Sequence, residues 1–181
     1  MGASGNAGPL GARLLYNRGL RDSQEAITFL NPNLSQLGDP FELPDMEAAV
    51  NRVFRAIGNR EKIAVFGDFD VDGLTATALL LHAIRDLGGI AVAHIPGRDG
   101  SGHGLDNDAL SRLSNDGVSL VITVDTGSND ESEVSFAGSI GIDVIVTDHH
   151  IVEPDLKRPL ALVNPHLGRD GVGDGLTGAG V

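Results

Sequence analysis

Acidic residues and histidines follow three short apolar runs of this chain. Asp68 follows IAVF after one glycine, Asp125 follows LVITV, and Asp148, His149 and His150 follow VIVT. Carboxylate oxygens and an imidazole suit Mn²⁺ or Mg²⁺, and a pair of such ions is a common device for cleaving phosphoesters. These residue types therefore predict a metal site for phosphoester hydrolysis.

The segment GDFDVDG carries three acids at alternate positions, namely Asp68, Asp70 and Asp72. In an extended segment all three side chains would point the same way, and so many carboxylates repel one another unless cations or protons neutralise them. An EF-hand loop would need a glutamate at its twelfth position, where this chain has Leu79. A solvated acidic loop is the remaining alternative, and the spacing favours a metal site.

The apolar runs are rich in β-branched residues and apolar at successive positions, which is typical of strands buried on both faces of a parallel sheet. Segments with helical spacing separate them. The sequence therefore predicts an α/β fold with a Rossmann-like, parallel five-stranded sheet and helices on both faces, whose functional crevice lies at the carboxyl ends of the strands. The predicted strands are Ile63–Phe66, Ile90–Ile95, Leu120–Val124, Val144–Thr147 and Leu160–Val163.

Three parts are expected along the chain. Residues 1–12, rich in glycine and alanine, are expected to be a flexible tail. Residues 13–60 are expected to form an N-terminal helical extension, with one helix at Ser23–Leu30 and a second capped by Asp45. Residues 61–181 are expected to form the α/β domain.

Composition narrows the classes of function. The 181 residues include no cysteine, which excludes disulfides, zinc thiolate sites and cysteine nucleophiles. No apolar stretch is long enough for a membrane span and no secretory signal is evident, so the cytoplasm is the expected location and no membrane partner is expected. The net charge of −12 argues against a nucleic-acid substrate, since phosphate contacts normally demand basic surface.

Three motifs of the chain resemble motifs one to three of the DHH phosphoesterase superfamily: VFGDFDVDGLTATALL, VITVDTG and VIVTDHH. The DHH triplet alone would be a weak signal, and its order and spacing after the other two motifs make it specific. The N-terminal stretch FLNPNLSQLGDPFELPDMEAAVNRVFRAI, the segment GHGL and the closing LTGAGV are similar to the RecJ branch. The resemblance extends from about Leu14 onward.

The resemblance implies a metal-dependent phosphodiesterase that acts as a 5′–3′ exonuclease on single-stranded DNA and releases mononucleotides, in DNA repair and recombination. It implies two Mn²⁺ or Mg²⁺ ions as cofactors, and single-stranded DNA with a helicase or a single-strand-binding protein as partners. It also implies that the chain is an N-terminal fragment that lacks a metal-ligating aspartate beyond Val181 and is inactive alone.

The resemblance also implies the roles of the metal-site residues. Asp125 is expected to bridge two ions, Asp70 and Asp72 to divide between them, and His149 to complete one coordination shell. Asp68 is expected to bind a metal directly or to hold a metal-bound water.

Substrate contacts are expected from His150 and from a glycine-rich segment. Adjacent residues of an extended segment point to opposite sides, so the two imidazoles are not expected to bind one ion. The resemblance implies that His149 is the ligand, and His150 is then expected to contact the phosphate. Arg98, Gly102, His103 and Gly104 follow the second strand. On the residues alone, phosphate contact and an ordinary loop are equally supported, and resemblance to RecJ favours phosphate contact.

Two other functions remain open. One is a related phosphoesterase acting on short oligonucleotides, cyclic dinucleotides or pyrophosphate, although those relatives tend to carry a histidine-led first motif where this chain has Gly67 and Asp68. The other is a non-catalytic scaffold resembling RecJ, which the intact acids of all three motifs disfavour. The segment GDGLTG at Gly173–Gly178 matches GxGxxG, but it does not directly follow a strand, so a dinucleotide site is not expected.

Overall fold

The computed structural model describes residues 8–97, 104–155, 159–168 and 175–181. The chain forms two compact units that divide between Gly38 and Asp39. Within the described ranges, no helix has the length and the apolar character needed to cross a bilayer.

The first unit is helical. It contains α1 (Gly8–Asn17), α2 (Ser23–Leu30) and a short 3-10 turn, and none of its described residues is buried. The helix expected at Ser23–Leu30 is present, and Asp22 caps it by accepting hydrogen bonds from the backbone N–H groups of the second and third residues that follow. Helix α1 begins at Gly8, inside the segment expected to be a flexible tail.

The second unit is built on a sheet of five parallel strands in the order β2-β1-β3-β4-β5. This confirms the predicted fold class. From β1 the chain crosses to β2 on one side and then returns to β3 on the other, so the direction of winding reverses between β1 and β3. The strands are β1 (Lys62–Gly67), β2 (Ile90–His94), β3 (Val118–Val124), β4 (Asp143–Thr147) and β5 (Ala161–Val163).

Helices cover both faces of this sheet. Successive residues of β1 alternate between two apolar cores, with Ile63 and Val65 in one and Ala64 and Phe66 in the other. Helices α3 and α4 pack on the first core, and α5 and α6 on the second. The helices are α3 (Met46–Gly58), α4 (Val71–Asp86), α5 (Asn107–Asn115) and α6 (Glu131–Ser139).

The domain boundary expected between residues 60 and 61 lies inside the second unit, because α3 belongs to the sheet domain. Ala49 and Ala56 of α3 are buried in the first core, and Val53 and Ile57 pack against it. The apolar stripe of this helix therefore packs against one face of the sheet, which removes it from water.

Asp45 precedes α3 but makes no side-chain capping bond, which differs from the expected cap. Its carboxylate instead accepts a hydrogen bond of 3.1 Å from the backbone N–H of Leu162, and its φ is 55°. Strand β5 lies at the edge of the sheet, where backbone groups lack a strand partner on one side. Asp45 therefore ties the start of α3 to that edge.

Arg52 ties α3 to the amino ends of three strands. Its Nε lies 2.6 Å from Asp143 Oδ2 at the start of β4, and its Nη2 lies 2.6 Å from Glu61 Oε2 just before β1. Ser119 Oγ of β3 donates to the same glutamate oxygen at 2.9 Å. The arginine side chain is only 6% exposed, so these contacts are largely shielded from water.

We expect Arg52→Ala to lower the free energy of unfolding by about 2 kcal/mol, because it removes two hydrogen bonds to charged groups and leaves half-buried carboxylates without their partner. Arg55→Ala is the matched control. Arg55 lies 3.8 Å from the same Asp143 oxygen but is 61% exposed, so its loss should cost less than about 0.5 kcal/mol. Urea unfolding measures both, and equal effects would contradict the stabilising role of Arg52.

Candidate metal centre

The centre lies at the carboxyl ends of β1, β3 and β4, where the three acidic motifs emerge from adjacent strands. Gly67 at the end of β1 pairs with Val124 at the end of β3, so Asp68 and Asp125 follow side by side. Strand β4 is the next neighbour, and Asp148 follows it. In open α/β sheets, ligands bind where the winding reverses, which here is between β1 and β3.

The first motif does not continue as an extended segment, so the reason for expecting its three acids to point the same way does not hold. Asp68 follows the strand, Asp70 is the N-cap of α4, and Asp72 lies in the first turn of that helix. Asp70 Oδ1 accepts a hydrogen bond of 3.0 Å from the N–H of Gly73. This bond is the largest cause that lowers the pKa of Asp70 below its ordinary value. Capping by an aspartate starts the helix before the third acid is reached.

Two glycines allow α4 to approach β1 closely. A Cβ on Gly67 would lie 1.9 Å from Thr77 Oγ1, and one on Gly73 would lie 2.5 Å from the backbone oxygen of Asp68. Any side chain at either position would displace the helix. The sequence carried this signal in the two glycines that flank DFDVD, but only the packing shows why they are needed.

Asp125 is 3% exposed and adopts a left-handed backbone conformation, with φ at 61°. Its N–H donates to Thr147 O at 3.0 Å, and Thr123 Oγ1 donates to Thr126 O at 2.7 Å across the turn. Aspartate tolerates this conformation better than most residues, yet it is uncommon and is often found at functional sites. The turn after β3 therefore fixes the direction of the Asp125 carboxylate.

Asp125 belongs to two groups of potential metal ligands. One oxygen each from Asp68, Asp70 and Asp125 lie within 4.8 Å of one another, and so do ligand atoms of Asp125, His149 and His150. His149 Nε2 lies 3.1 Å from Asp125 Oδ1, which is buried and accepts no hydrogen bond in the described part of the chain. Asp125 is a member of both clusters of oxygen and nitrogen ligands, and its buried Oδ1 faces an imidazole nitrogen without accepting a hydrogen bond from it. This arrangement fits one or two divalent cations.

The electrostatics of Asp125 agree with a site that needs cations. Burial raises the pKa of Asp125 to about 6, and the negative charges of Asp72 and Asp70 contribute in the same direction. A divalent cation would relieve both effects, because it stabilises the ionised carboxylate.

Asp148 belongs to neither group of potential metal ligands among the described residues, although its motif places it at the same edge. Its Oδ2 accepts a hydrogen bond from Ser128 N, and its Oδ1 accepts from the backbone N–H groups of His149 and His150. His150 Nδ1 lies 2.7 Å from the same Oδ1. Burial acts to raise the pKa of Asp148, but these hydrogen bonds hold it below its ordinary value. Asp148 therefore positions the two histidines.

The two imidazoles do not point to opposite sides, so that expectation is wrong. Strand β4 ends at Thr147, and the chain after it is not extended as a strand. The rings of His149 and His150 lie 4.8 Å apart between centroids. Burial acts to lower the pKa of His150, but Asp148 and the charges of Asp125 and Asp68 raise it above its ordinary value.

Of the four residues expected in the glycine-rich segment, Arg98, Gly102 and His103 lie outside the described residues. Gly104 has φ at 110°, and a Cβ there would lie 2.6 Å from Asp130 Oδ2. The same oxygen accepts a hydrogen bond of 2.7 Å from the backbone N–H of the following residue. Gly104 is thus held against the start of α6.

The small cavity of about 190 Å³ beside the centre is lined by Asp68, Asp125, Asp130, Asp148 and His150 among others.

Sequence reasoning missed a contact between the first motif and residues more than 100 positions later. The backbone N–H groups of Gly178 and Ala179 donate to the carboxylate of Asp72 at 2.7 and 2.8 Å. Gly178 lies in the segment that matched GxGxxG, and its surroundings are carboxylates rather than an open phosphate site. The glycine was visible in the sequence, but its partner was not.

Comparison with known proteins identifies the family. Residues 62–181 match the DHH family, N-terminal domain. The chain belongs to the DHH family. Its three acidic motifs, its five-stranded parallel sheet and the meeting of the motifs at the carboxyl ends of the strands are therefore features of a DHH domain.

The relatives are exonucleases. The chain is 40% identical over 157 residues to the single-stranded-DNA-specific exonuclease RecJ of Bacillus subtilis, covering 87% of this chain and 20% of that protein. It is 37% identical over 160 residues to RecJ of Escherichia coli, covering 88% of this chain and 27% of the relative. The chain thus spans less than a third of the length of these relatives.

Solved structures agree with the fold. A manganese-bound crystal structure of exonuclease RecJ is similar with a TM-score of 0.71 and 33% identity, over 77% of this chain and 35% of that chain. RecJ of Thermus thermophilus in complex with Mn²⁺ is similar with a TM-score of 0.68 and 31% identity, over 94% of this chain and 23% of that chain.

The raised pKa of Asp125 predicts how the metal-free chain responds to pH. The folded pKa of about 6 exceeds the ordinary value of 3.8, so protonation favours the folded state. This contribution is fully present below the ordinary value and is lost as the pH rises through about 6. The quantity to compare is the free energy of unfolding of the wild type minus that of Asp125→Asn, both measured in EDTA. This difference should be larger at pH 5 than at pH 7. Urea unfolding measures it, and a difference independent of pH would contradict the assignment.

Proposed function

We propose that this chain carries the two-metal phosphodiester hydrolase centre of a 5′–3′ exonuclease that acts on single-stranded DNA and releases mononucleotides. The observation that carries the proposal is the position of Asp125, a buried carboxylate shared between two clusters of potential metal ligands. The single-stranded-DNA-specific exonuclease function of the RecJ relatives supports the reaction and the substrate. Manganese in RecJ structures supports the choice of a divalent cation.

We propose that the acids divide between two ions. Asp68, Asp70 and Asp125 would hold one ion. Asp125 and His149 would hold the second together with Asp72, whose Oδ2 lies 3.9 Å from His149 Nε2. Asp125 would bridge the two, as the resemblance implies. Bound divalent ions supply a nucleophile from water and share the charge that develops on the phosphoryl oxygens.

Among the residues that the structure describes, His150 is the side chain that we propose to contact the phosphate. Its Nδ1 is bound to Asp148, and its ring is 58% exposed, so its other nitrogen remains available to a substrate. The raised pKa favours the protonated ring, which donates a charge-assisted hydrogen bond to phosphate. We propose further phosphate contacts from Arg98, Gly102, His103 and Gly104. From the resemblance we also propose a helicase or a single-strand-binding protein as a partner, and a cytoplasmic location.

The net charge of −12 limits where DNA can bind on this chain. Long-range attraction of a phosphate backbone requires positive surface, and bound cations supply it only close to the centre. We therefore place the reacting phosphate here and propose that most of the DNA-binding surface belongs to other parts of the protein.

The first test is metal binding. We expect Asp125→Asn to weaken Mn²⁺ binding by at least about 100-fold, because even the loss of an outer partner of a metal ligand commonly costs 10- to 100-fold. Asp86→Asn is the matched control: it removes one carboxylate from the last residue of α4, at the end of that helix opposite Asp72. Calorimetry and Mn²⁺ electron paramagnetic resonance report the affinity and the number of sites. Equal binding by the two variants would refute the centre.

The second test is activity in the context of a whole relative. Residues 39–181 would replace the matching segment of Bacillus subtilis RecJ, and the chimera would be assayed with Mn²⁺ on single-stranded DNA labelled at either end. We expect mononucleotides released from the 5′ end, and a loss of at least about 10³-fold for Asp125→Asn in the chimera.

Other substrates in the same assay decide between the alternatives. Cleavage of dinucleotides or cyclic dinucleotides without digestion of longer DNA would favour a small-substrate phosphoesterase. A folded chimera that binds Mn²⁺ and cleaves nothing would contradict the proposed reaction.

A further inference from the structure

Asp72 is held by two backbone amides from a distant part of the chain. Its Oδ2 accepts from Gly178 N at 2.7 Å, and its Oδ1 accepts from Ala179 N at 2.8 Å. We call Gly178 and Ala179 the amide pair. Both carboxylate oxygens are thus fixed in position, which a single hydrogen bond would not achieve.

Gly178 also lies directly against Asp125, another acid of the centre. A Cβ at this position would lie 2.5 Å from both Cβ and Oδ1 of Asp125. Real Cβ atoms essentially never come this close, so any side chain here must push the acid or the backbone aside. Gly180, two residues later, differs, because the nearest atoms that a Cβ there would meet belong to Leu176 and Thr177, at 3.3 to 3.7 Å.

The apolar core fixes the amide pair from the other side. Ala179 and Val181 pack against the core formed by α3, α4 and one face of the sheet. Val181 N and Gly180 N both donate to Thr177 O, at 3.1 and 2.8 Å, which closes the turn around the pair. A backbone segment anchored in the core can hold a carboxylate more rigidly than a mobile side chain would.

We propose that the amide pair is a positioning element of the metal centre, which orients Asp72 through two hydrogen bonds and leaves space for Asp125 through the absent side chain of Gly178. This inference rests on the proposed metal-dependent function. Each carboxylate oxygen has a second lone pair, so Asp72 can bind an ion while it accepts from an amide. The two donors also offset part of the repulsion between Asp72 and Asp125.

The first experiment measures Mn²⁺ affinity of the 181-residue chain by calorimetry. We expect Gly178→Ala to weaken binding at least about 10-fold, the lower range for loss of a group that orients a metal ligand. Gly180→Ala adds the same methyl group to the same turn without meeting a carboxylate, and we expect it to bind Mn²⁺ as the wild type does. Excess Mn²⁺ should restore full occupancy of Gly178→Ala.

Unfolding in urea without metal separates positioning from general damage. We expect Gly178→Ala to be the less stable variant, because its methyl group must displace Asp125 or the backbone. Both variants should nevertheless be folded without urea, so that calorimetry compares folded chains. Unchanged Mn²⁺ affinity of Gly178→Ala, or an equal loss in both variants, would overturn the inference.

A second experiment tests the contact itself in the metal-free chain. Asp72→Ala should accelerate amide hydrogen exchange at Gly178 and Ala179 by at least about 10-fold, the factor that corresponds to a lost hydrogen bond to a charged group. Asp70→Ala is the control: it removes the N-cap of α4 and so harms the helix more, but it should leave these two amides protected. Rapid exchange in the wild type, or acceleration in both variants, would overturn the contact.

The outcomes distinguish this inference from the function on which it rests. A wild-type chain that binds no Mn²⁺ contradicts the proposed centre and its positioning role together. Normal Mn²⁺ binding by the wild type and by Gly178→Ala leaves the centre intact and overturns only the role of the amide pair.

Discussion

Repulsion among carboxylates is the constraint on which the rest of this structure depends. Asp68, Asp70, Asp72 and Asp125 converge at the carboxyl ends of two adjacent strands, where the burial of Asp125 makes its negative charge costly. Backbone N–H groups relieve part of this cost, from the start of α4 to Asp70 and from the amide pair to Asp72. Oδ1 of Asp125 has no such donor in the described part of the chain, and Asp125 is the acid best explained by a bound cation.

Close packing of helix on strand makes that convergence possible. Gly67 and Gly73 let α4 lie against the end of β1, so that the acid before the helix and the acids within its first turn stay near the sheet. At the opposite end of the strands, Arg52 joins α3 to the amino ends of β1 and β4. One end of the sheet is thus stabilised by complementary charges, and the other concentrates like charges at the candidate metal centre.

In the DHH triplet, one residue positions the other two. Asp148 is an acid of the DHH triplet, yet its oxygens are occupied by Ser128 and by the two residues that follow it. Its role is to orient the imidazoles, and through them it acts on the centre indirectly. A carboxylate in a metal motif can therefore act by orienting its neighbours.

The sequence by itself determined the parallel sheet, the three acidic motifs and the edge at which these motifs meet. Each buried strand leaves a local pattern of apolar and β-branched residues, and the segments of helical spacing between the strands indicate that they are parallel. The sequence did not determine that α4 begins before Asp72, that both imidazoles lie near Asp125, or that α3 belongs to the sheet domain. These depend on capping and on which surface each apolar face covers. Only the tertiary structure could bring Gly178 to Asp72, since a contact across more than 100 residues leaves no local periodicity.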